Sequence, residues 1–356
     1  MNEIPKTMQA VVYRGANDLR LETLPTPEIL DDEILVRVAV CGVCPTDIKK
    51  IQHATVPPPR VFGHETAGVI CRAGRKVRGL NPGDRVALHH HVPCLRCHFC
   101  RRSAFAQCAQ YKKTGITAGF EPAGGGYAEY VRVMSFALPG VVKIPRRNSF
   151  IEGAMLEPVN TVLKAVRRLD VPRRDSVLVA GQGPIGLMFT RLLRLGGARV
   201  FATDLIEERL LLAREFGATA TALGGAKDLA RQVAEFTDGR GFDAAVLAVP
   251  SDAALVQAQD LTRGGGRVLL FAHTRRGVAT NLDLSTVCVE EKDLLGSYSS
   301  DFSLQGEAAR LVFSRRMDVR GLVTREFPLR ETKSAIDLAA SPSAGNLKVV
   351  VRVQNL

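Results

Sequence analysis

Val177-Leu178-Val179-Ala180-Gly181-Gln182-Gly183-Pro184-Ile185-Gly186-Leu187 sets a short apolar run directly against Gly-x-Gly-x-x-Gly, and a helix-like segment, Leu187 to Leu195, continues from it. Gly181 and Gly183 permit a tight turn and let bare backbone approach a pyrophosphate. Gly186 lets the new helix pack close to the strand, with its N-terminal N–H groups facing the anion. A second apolar run, Arg199 to Thr203, ends at Asp204, about twenty residues after the first glycine, where an acidic side chain accepts both ribose hydroxyls of an adenosine and repels a 2′-phosphate. A glycine-rich turn alone is often merely structural. With a strand before it, a helix after it and the acid on time, the stretch predicts a dinucleotide site that favours NAD over NADP.

Beyond this stretch helix and strand alternate. Glu207 to Phe216 is amphipathic and stops at Gly217, Asp228 to Phe236 is helical, and Phe242 to Val249 reads as a buried strand. Ser251 caps a helix to Thr262, and Gly266 to Ala272 is another buried strand. This rhythm predicts a doubly wound parallel sheet with helices on both faces, an α/β fold. After Leu294-Leu295-Gly296 the pattern changes to a helix over Ser303–Phe313, a strand over Val323–Phe327, a helix over Glu331–Ala340 and a last strand over Leu347–Val353. On the N-terminal side Met8–Tyr13, Leu19–Thr23 and Glu33–Ala39 read as strands, as do Asn81–Val86 after its turn and Tyr127–Val133 after a glycine-rich turn from Gly124. Lys143-Ile144-Pro145 is a short edge, and Glu152 to Leu169 is helical.

The chain has 356 residues, enough for two domains, and its 46% hydrophobic and 24% charged residues are those of an ordinary globular protein. No run of about 18 uncharged apolar residues predicts a membrane span, and the polar Met1–Thr7 carries no signal segment, so the expected compartment is the cytoplasm. A net charge of +12 raises nucleic acid as a partner. The basic residues, however, come as scattered doublets such as Arg101-Arg102, Arg173-Arg174 and Arg275-Arg276, and tryptophan is absent. A basic surface that attracts anionic cofactors is therefore expected, with neither nucleic acid nor membrane as partner.

Cys94-x2-Cys97-x2-Cys100-x7-Cys108 supplies four thiolates at a spacing that wraps and closes a tetrahedron, which predicts a structural zinc in a lobe over about residues 90–112. A second set is dispersed: Cys41-Gly42-Val43-Cys44-Pro45-Thr46-Asp47, Gly63-His64-Glu65, and Leu156-Glu157-Pro158-Val159-Asn160-Thr161. Singly these are a buried thiol, a capping pair, a satisfied histidine and a helix-start acid. Together they offer thiolate, imidazole and carboxylate, a donor set suited to zinc. His89-His90-His91 cannot all face one ion from an extended chain, because alternate side chains point to opposite faces, and they read as surface or packing residues.

These motifs in this order resemble the zinc-dependent medium-chain dehydrogenases, and within them the sorbitol/L-iditol 2-dehydrogenase-like branch, over about Met8 to Val353. The resemblance implies a GroES-like, β-rich catalytic domain from residues 1–152 and 297–356, with a Rossmann NAD-binding domain, 153–296, inserted between. It places the zinc cysteine at Cys44 with Cys41 a bystander, the proton-relay hydroxyl at Thr46, and the family's Gly-His-Glu on His64 and Glu65. Glu157-Pro158 matches the Glu-Pro of polyol enzymes, which leaves Glu65 and Glu157 as alternative ligands of the catalytic zinc. Lys49 stands where the second relay residue, often a histidine, sits. Among cofactor contacts the resemblance expects Thr161 beside the nicotinamide, Ile185 behind it, Lys348 at the pyrophosphate and Arg209 over the adenine. The implied activity is NAD-linked oxidation of a secondary hydroxyl of a polyol, sugar alcohol or cyclitol, by a homodimer or homotetramer. A threonine-dehydrogenase-like amino-alcohol oxidiser and a simple secondary-alcohol dehydrogenase are the nearest alternatives. A non-enzymatic zinc scaffold would explain the four-cysteine loop, but not Cys44, His64 and Glu157 together with the dinucleotide stretch.

Overall fold

The N-terminal strands are β1 (Thr7–Gly15), β2 (Asp18–Pro25), β3 (Ile34–Gly42), β4 (Arg60–Val61), β5 (Glu65–Ala73), β6 (Arg85–Leu88), β7 (Tyr130–Val133) and β8 (Val142–Lys143). The parallel-sheet strands follow as β9 (Ser176–Ala180), β10 (Arg199–Asp204), β11 (Ala220–Leu223), β12 (Phe242–Leu247), β13 (Thr262–Leu270) and β14 (Asp293–Gly296). β15 (Val323–Pro328) and β16 (Lys348–Arg352) close the chain. The computed structural model describes residues 3–89, 92–113, 125–272, 277–280 and 282–356. His90, His91, Gly124, Arg275 and Arg276 lie outside the described residues.

Two units divide the chain: Met1–Asn160 with Ser300–Leu356, and Thr161–Ser299. The sequence expectation sets these joints at 152/153 and 296/297. In the first unit β3 is the organising strand. Its run Ile-Leu-Val-Arg-Val-Ala-Val-Cys-Gly is apolar at almost every position and almost wholly buried, as a strand covered on both faces must be. β5 pairs with one edge of β3, and β7 and β16 share the other end to end, all antiparallel. Among the described residues the sheet order is β15-β16-β3-β5-β6-β8, beside a smaller sheet β2-β1-β4.

In the second unit the described strands form one parallel sheet in the order β11-β10-β9-β12-β13-β14. Numbered from β9, that is 3-2-1-4-5-6, the doubly wound order whose switch point lies between its first and fourth strands. Phe201, Phe242, Leu178, Leu247 and Val268 fill one face of this sheet, and the Phe201 and Phe236 rings meet edge-on at 5.2 Å. The α/β reading, a β-rich unit plus a Rossmann-type sheet, therefore holds.

Several local expectations change. The single helix expected over Glu152–Leu169 is two, Phe150–Ala154 and Leu156–Leu169. Pro158 has no N–H to give to the Ala154 carbonyl, so the ladder breaks where the two would join. β11 and β14 are four residues each and too short to show a period. β13 starts at Thr262, earlier than the expected Gly266. No helix among the described residues is long and apolar enough to cross a membrane.

The short helix Phe150–Ala154 is fixed by a reciprocal cap. Ser149 Oγ accepts from the Glu152 N–H at 3.2 Å, and Glu152 Oε2 accepts from the Ser149 N–H at 2.7 Å. Glu152 Oε1 also accepts from Asn148 at 2.8 Å and from Arg315 at 3.2 Å, tying the N- and C-terminal parts of the unit together. A Cβ on Gly153 would lie 2.3 Å from Ile144 Cδ1, so the helix sits hard against its neighbours. Ser149→Ala, which removes the cap hydroxyl, is expected to lower the stability of the unit that carries β3 by about 1 kcal/mol, read as a lower denaturation midpoint at unchanged circular dichroism.

Candidate metal centre and dinucleotide site

Cys44 precedes the helix Pro45–His53 and has extended backbone, φ −102° and ψ 140°. His64 follows Gly63, whose φ of +100° only glycine adopts readily and whose Cβ would stand 2.7 Å from Cys41 Sγ. The buried His64 ring is fixed through Nδ1, 3.1 Å from Oδ1 of the fully buried Asp47. That bond turns the other ring nitrogen to the task of ligation. Glu65 is 1% exposed and paired with Lys348, whose Nζ lies 2.6 Å from Oε1 and 2.5 Å from Oε2.

Ligand atoms of Cys44, His64 and Glu65 all lie within 4.8 Å of one another. Glu65 Oε2 is buried 2.5 Å from the Lys348 ammonium, and Oε1 accepts its hydrogen bond. A thiolate, an imidazole held through Nδ1 and a carboxylate are a fitting set for zinc, with one position to spare. Burial works against a charged His64, but the charges of Asp47 and Cys44 outweigh it and hold the ring pKa well above its usual value. A divalent ion would displace that proton.

Of the two candidate glutamates, the structure brings Glu65 into this group. Glu157, in the first turn of the helix Leu156–Leu169, is not a member of it, although its charge acts on Lys348. Thr46 is half-buried in the first turn after Cys44. Lys49, one turn on, is half-buried, and burial pulls its ammonium pKa down while the Cys44 charge opposes. Cys41 is fully buried, its thiol pushed up to about 12 chiefly by burial, with Sγ 3.5 Å from Thr66 Oγ1. Lys348 is held within this unit by Glu65 and by the Val43 carbonyl at 2.8 Å. Asp47 and Gly42 belong to the site as well. A Cβ on Gly42 would lie 1.8 Å from Glu65 Oε2.

The sulfurs of Cys94, Cys97, Cys100 and Cys108 also lie within 4.8 Å of one another, and all four are free thiols. Zinc–sulfur bonds of about 2.3 Å place tetrahedral sulfurs about 3.8 Å apart. Cys97–Cys100 and Cys94–Cys100 are 3.5 and 3.9 Å apart. The backbone N–H groups of Arg96 and Cys97 pull the Cys94 thiol down to about 6, while burial first, and its neighbours next, push Cys100 up to about 12. Among the described residues Ala106, Tyr111 and Phe105 join the cysteines in this cluster, a small core for a lobe of this length.

In the second unit Gly181 has φ +91°, and Gly183 leads into the helix Pro184–Gly196. A Cβ on Gly186 would stand 1.7 Å from the Gly181 carbonyl oxygen, so only glycine closes this turn. Ile185 is half-buried in the first turn. Asp204 ends β10 with Oδ2 accepting from the Gln182 N–H at 2.6 Å and Oδ1 from the Ile206 N–H at 2.9 Å. Each oxygen keeps a further lone pair for a ribose hydroxyl. Arg209 Nη1 lies 3.9 Å from Asp204 Oδ2. Thr161 is half-buried near the start of this unit. Gln182, which the sequence did not single out, is fully buried. Its amide donates to the Val179 carbonyl and its Oε1 accepts from Thr190, pinning the middle of the loop.

Residues 30–146 match the family described as alcohol dehydrogenase GroES-like domain, and residues 184–314 match zinc-binding dehydrogenase. Sorbitol dehydrogenase of Bombyx mori is 31% identical over 97% of this chain and 99% of its own length. The chain belongs to the zinc-binding dehydrogenases. D-xylulose reductase A of Aspergillus oryzae is 29% identical over 94% of this chain and 95% of its own length, which puts this dehydrogenase in the sorbitol-dehydrogenase-like branch. A zinc-binding dehydrogenase structure from Sinorhizobium meliloti 1021, bound to NADP, superposes with a TM-score of 0.89 at 28% identity, covering 98% of this chain and 100% of that one. This dehydrogenase is thus an enzyme of alcohol CH–OH groups that takes a nicotinamide cofactor. For its cofactor loop, Gly186→Ala forces the Gly181 carbonyl to move, and dinucleotide affinity is expected to fall at least about tenfold, or about 1.4 kcal/mol, in calorimetric titration of a protein that still melts cooperatively.

Proposed function

We propose that this dehydrogenase oxidises a secondary hydroxyl of a polyol, sugar alcohol or cyclitol to a ketone with NAD, around a catalytic zinc held by Cys44, His64 and Glu65. The observation that carries the reading is the convergence of those three ligand atoms in a chain similar to a sorbitol dehydrogenase along nearly its whole length. When bound, zinc supplies Lewis acidity toward a hydroxyl oxygen and lowers its pKa.

The chain does the rest. Cys44 and Glu65 bring two negative charges to the centre, and Asp47 holds His64 in the orientation that ligation needs. Thr46 offers a hydroxyl one turn from Cys44 to pass the proton on, with Lys49 next on the same helix. Glu157 serves as a second carboxylate that takes a proton through water. Residues 1–152 and 297–356, with Glu157 from the helix that follows, carry this chemistry, and the rest of 153–296 binds the cofactor. Thr161 and Ile185 face the nicotinamide, Gly181, Gly183, Pro184 and Gly186 cradle the pyrophosphate, and Arg209 covers the adenine. Cys94, Cys97, Cys100 and Cys108 hold a second, structural zinc that replaces the missing core of their lobe.

Asp204 supports NAD as the cofactor, although the Sinorhizobium relative is bound to NADP. Its two oxygens already face the Gln182 and Ile206 N–H groups, so a 2′-phosphate would meet a fixed negative charge. The working form is a homo-oligomer in the cytoplasm, acting on a small molecule.

Two measurements test the reading. Metal analysis should find two zincs per wild-type chain and one in Cys44→Ser, which keeps NAD binding but loses nearly all turnover. Retained turnover in that variant overturns the metal assignment. In a screen of NAD reduction, polyols or inositols should outrun amino alcohols and simple secondary alcohols. NAD should be preferred at least about tenfold over NADP, and Asp204→Ala should relax that preference. Equal use of both cofactors by the wild type refutes the role of Asp204.

A further inference from the structure

Glu65 is contested from two sides. On one, Lys348 on β16 reaches both carboxylate oxygens at 2.6 and 2.5 Å, with side chains only 7% and 2% exposed. Its third contact, the Val43 carbonyl at 2.8 Å, fixes the ammonium in place. On the other lie Cys44 Sγ and the His64 ring, close enough for one ion to touch all three groups. Gly42 makes the room the carboxylate occupies, since a Cβ there would stand 1.8 Å from Oε2. Oε1 accepts the Lys348 hydrogen bond, and Oε2 stays in ion-pair contact with the same ammonium.

We propose that Lys348 is a positioning residue that holds the Glu65 carboxylate and weakens its grip on the metal, keeping the catalytic zinc exchangeable and its remaining position open. This rests on the reading of Cys44, His64 and Glu65 as the zinc site. A dication with two anionic ligands is neutral, and Lys348 adds a buried positive charge beside it. Like charges repel strongly in a dry site, and the ammonium competes for the same carboxylate. Removing that charge while keeping the side-chain length should hand Glu65 wholly to the ion. The consequence is a metal held more tightly, not less, when its outer partner is deleted.

The test compares full-length wild type with Lys348→Met and Lys348→Arg, following zinc loss to a chelator and the visible absorption of the cobalt-substituted protein. Cys44→Ser, which lacks this centre, marks which phase of zinc loss belongs to it. Lys348→Met is expected to slow that phase at least about tenfold, the range over which outer partners shift metal affinity, and to move the cobalt bands. Lys348→Arg keeps the charge and should stay within about threefold of wild type. Slowing of less than about threefold in Lys348→Met, or faster loss, overturns the proposal. Should that variant fail to fold, Glu65→Gln takes its place: it must speed zinc loss and move the cobalt bands, and unchanged values of either overturn the proposal. A wild-type protein without any zinc phase that Cys44→Ser removes would instead sink the zinc site itself.

Discussion

The register of β3 against its two neighbours is the constraint on which the metal centre depends. Gly42 stands opposite Glu65 of β5 and opposite Val350 of β16. Side chains alternate along a strand, so Lys348, two residues before Val350, projects to the same face as Val350. One slip of either pairing would turn Glu65 or Lys348 away and separate a pair that now meets at 2.5 Å. Gly42 is the price of this arrangement, because a side chain there would occupy the place of the Glu65 carboxylate.

Burying Glu65, Lys348, Asp47 and His64 together is expensive unless every charge is answered. The structure answers them in pairs: Asp47 with His64 at 3.1 Å, and Glu65 with Lys348. A buried ion pair is poor evidence for stability, since well-packed apolar residues often serve as well. What the pairs do achieve is orientation. Each fixes its inner residue, so that His64 and the Glu65 carboxylate keep a ligand atom within 4.8 Å of Cys44 Sγ. Tyr127 adds to the same frame, its hydroxyl donating to the Gly42 carbonyl at 3.1 Å at the end of β3.

What the sequence disclosed was local. The dinucleotide loop and the four-cysteine lobe each pack their signal into a few residues, so spacing alone reveals them. Glu65 and Lys348 are 283 positions apart, and no period or motif links them. Only the pairing of β16 with β3 does. Asp47 was visible within its motif but had no role until the helix Pro45–His53 put it one turn from Cys44 and beneath His64. Resemblance to relatives pointed Lys348 to a phosphate and did not reveal that burial and a carboxylate at hydrogen-bond distance hold it beside the metal ligands. β11 and β14 went unread because four residues carry no periodicity, and they are defined instead by parallel pairing with β10 and β13.

Both sites use the absence of a side chain in the same way. At the dinucleotide loop, Gly186 lets a helix approach the Gly181 carbonyl more closely than any Cβ allows, and Asp204 clamps the loop from the next strand through the Gln182 N–H. At the metal centre, Gly42 and Gly63 make room for a carboxylate and a thiol, and β5 supplies the clamp. In each case the end of an interior strand carries the charged group while a glycine brings the backbone close. That division explains why the reacting groups come from strand ends and helix starts: these are the places where a residue is held by a ladder on one side and open to a ligand on the other. A ligand atom placed in mid-strand would have its neighbours' side chains above and below it and no opening through which substrate could enter.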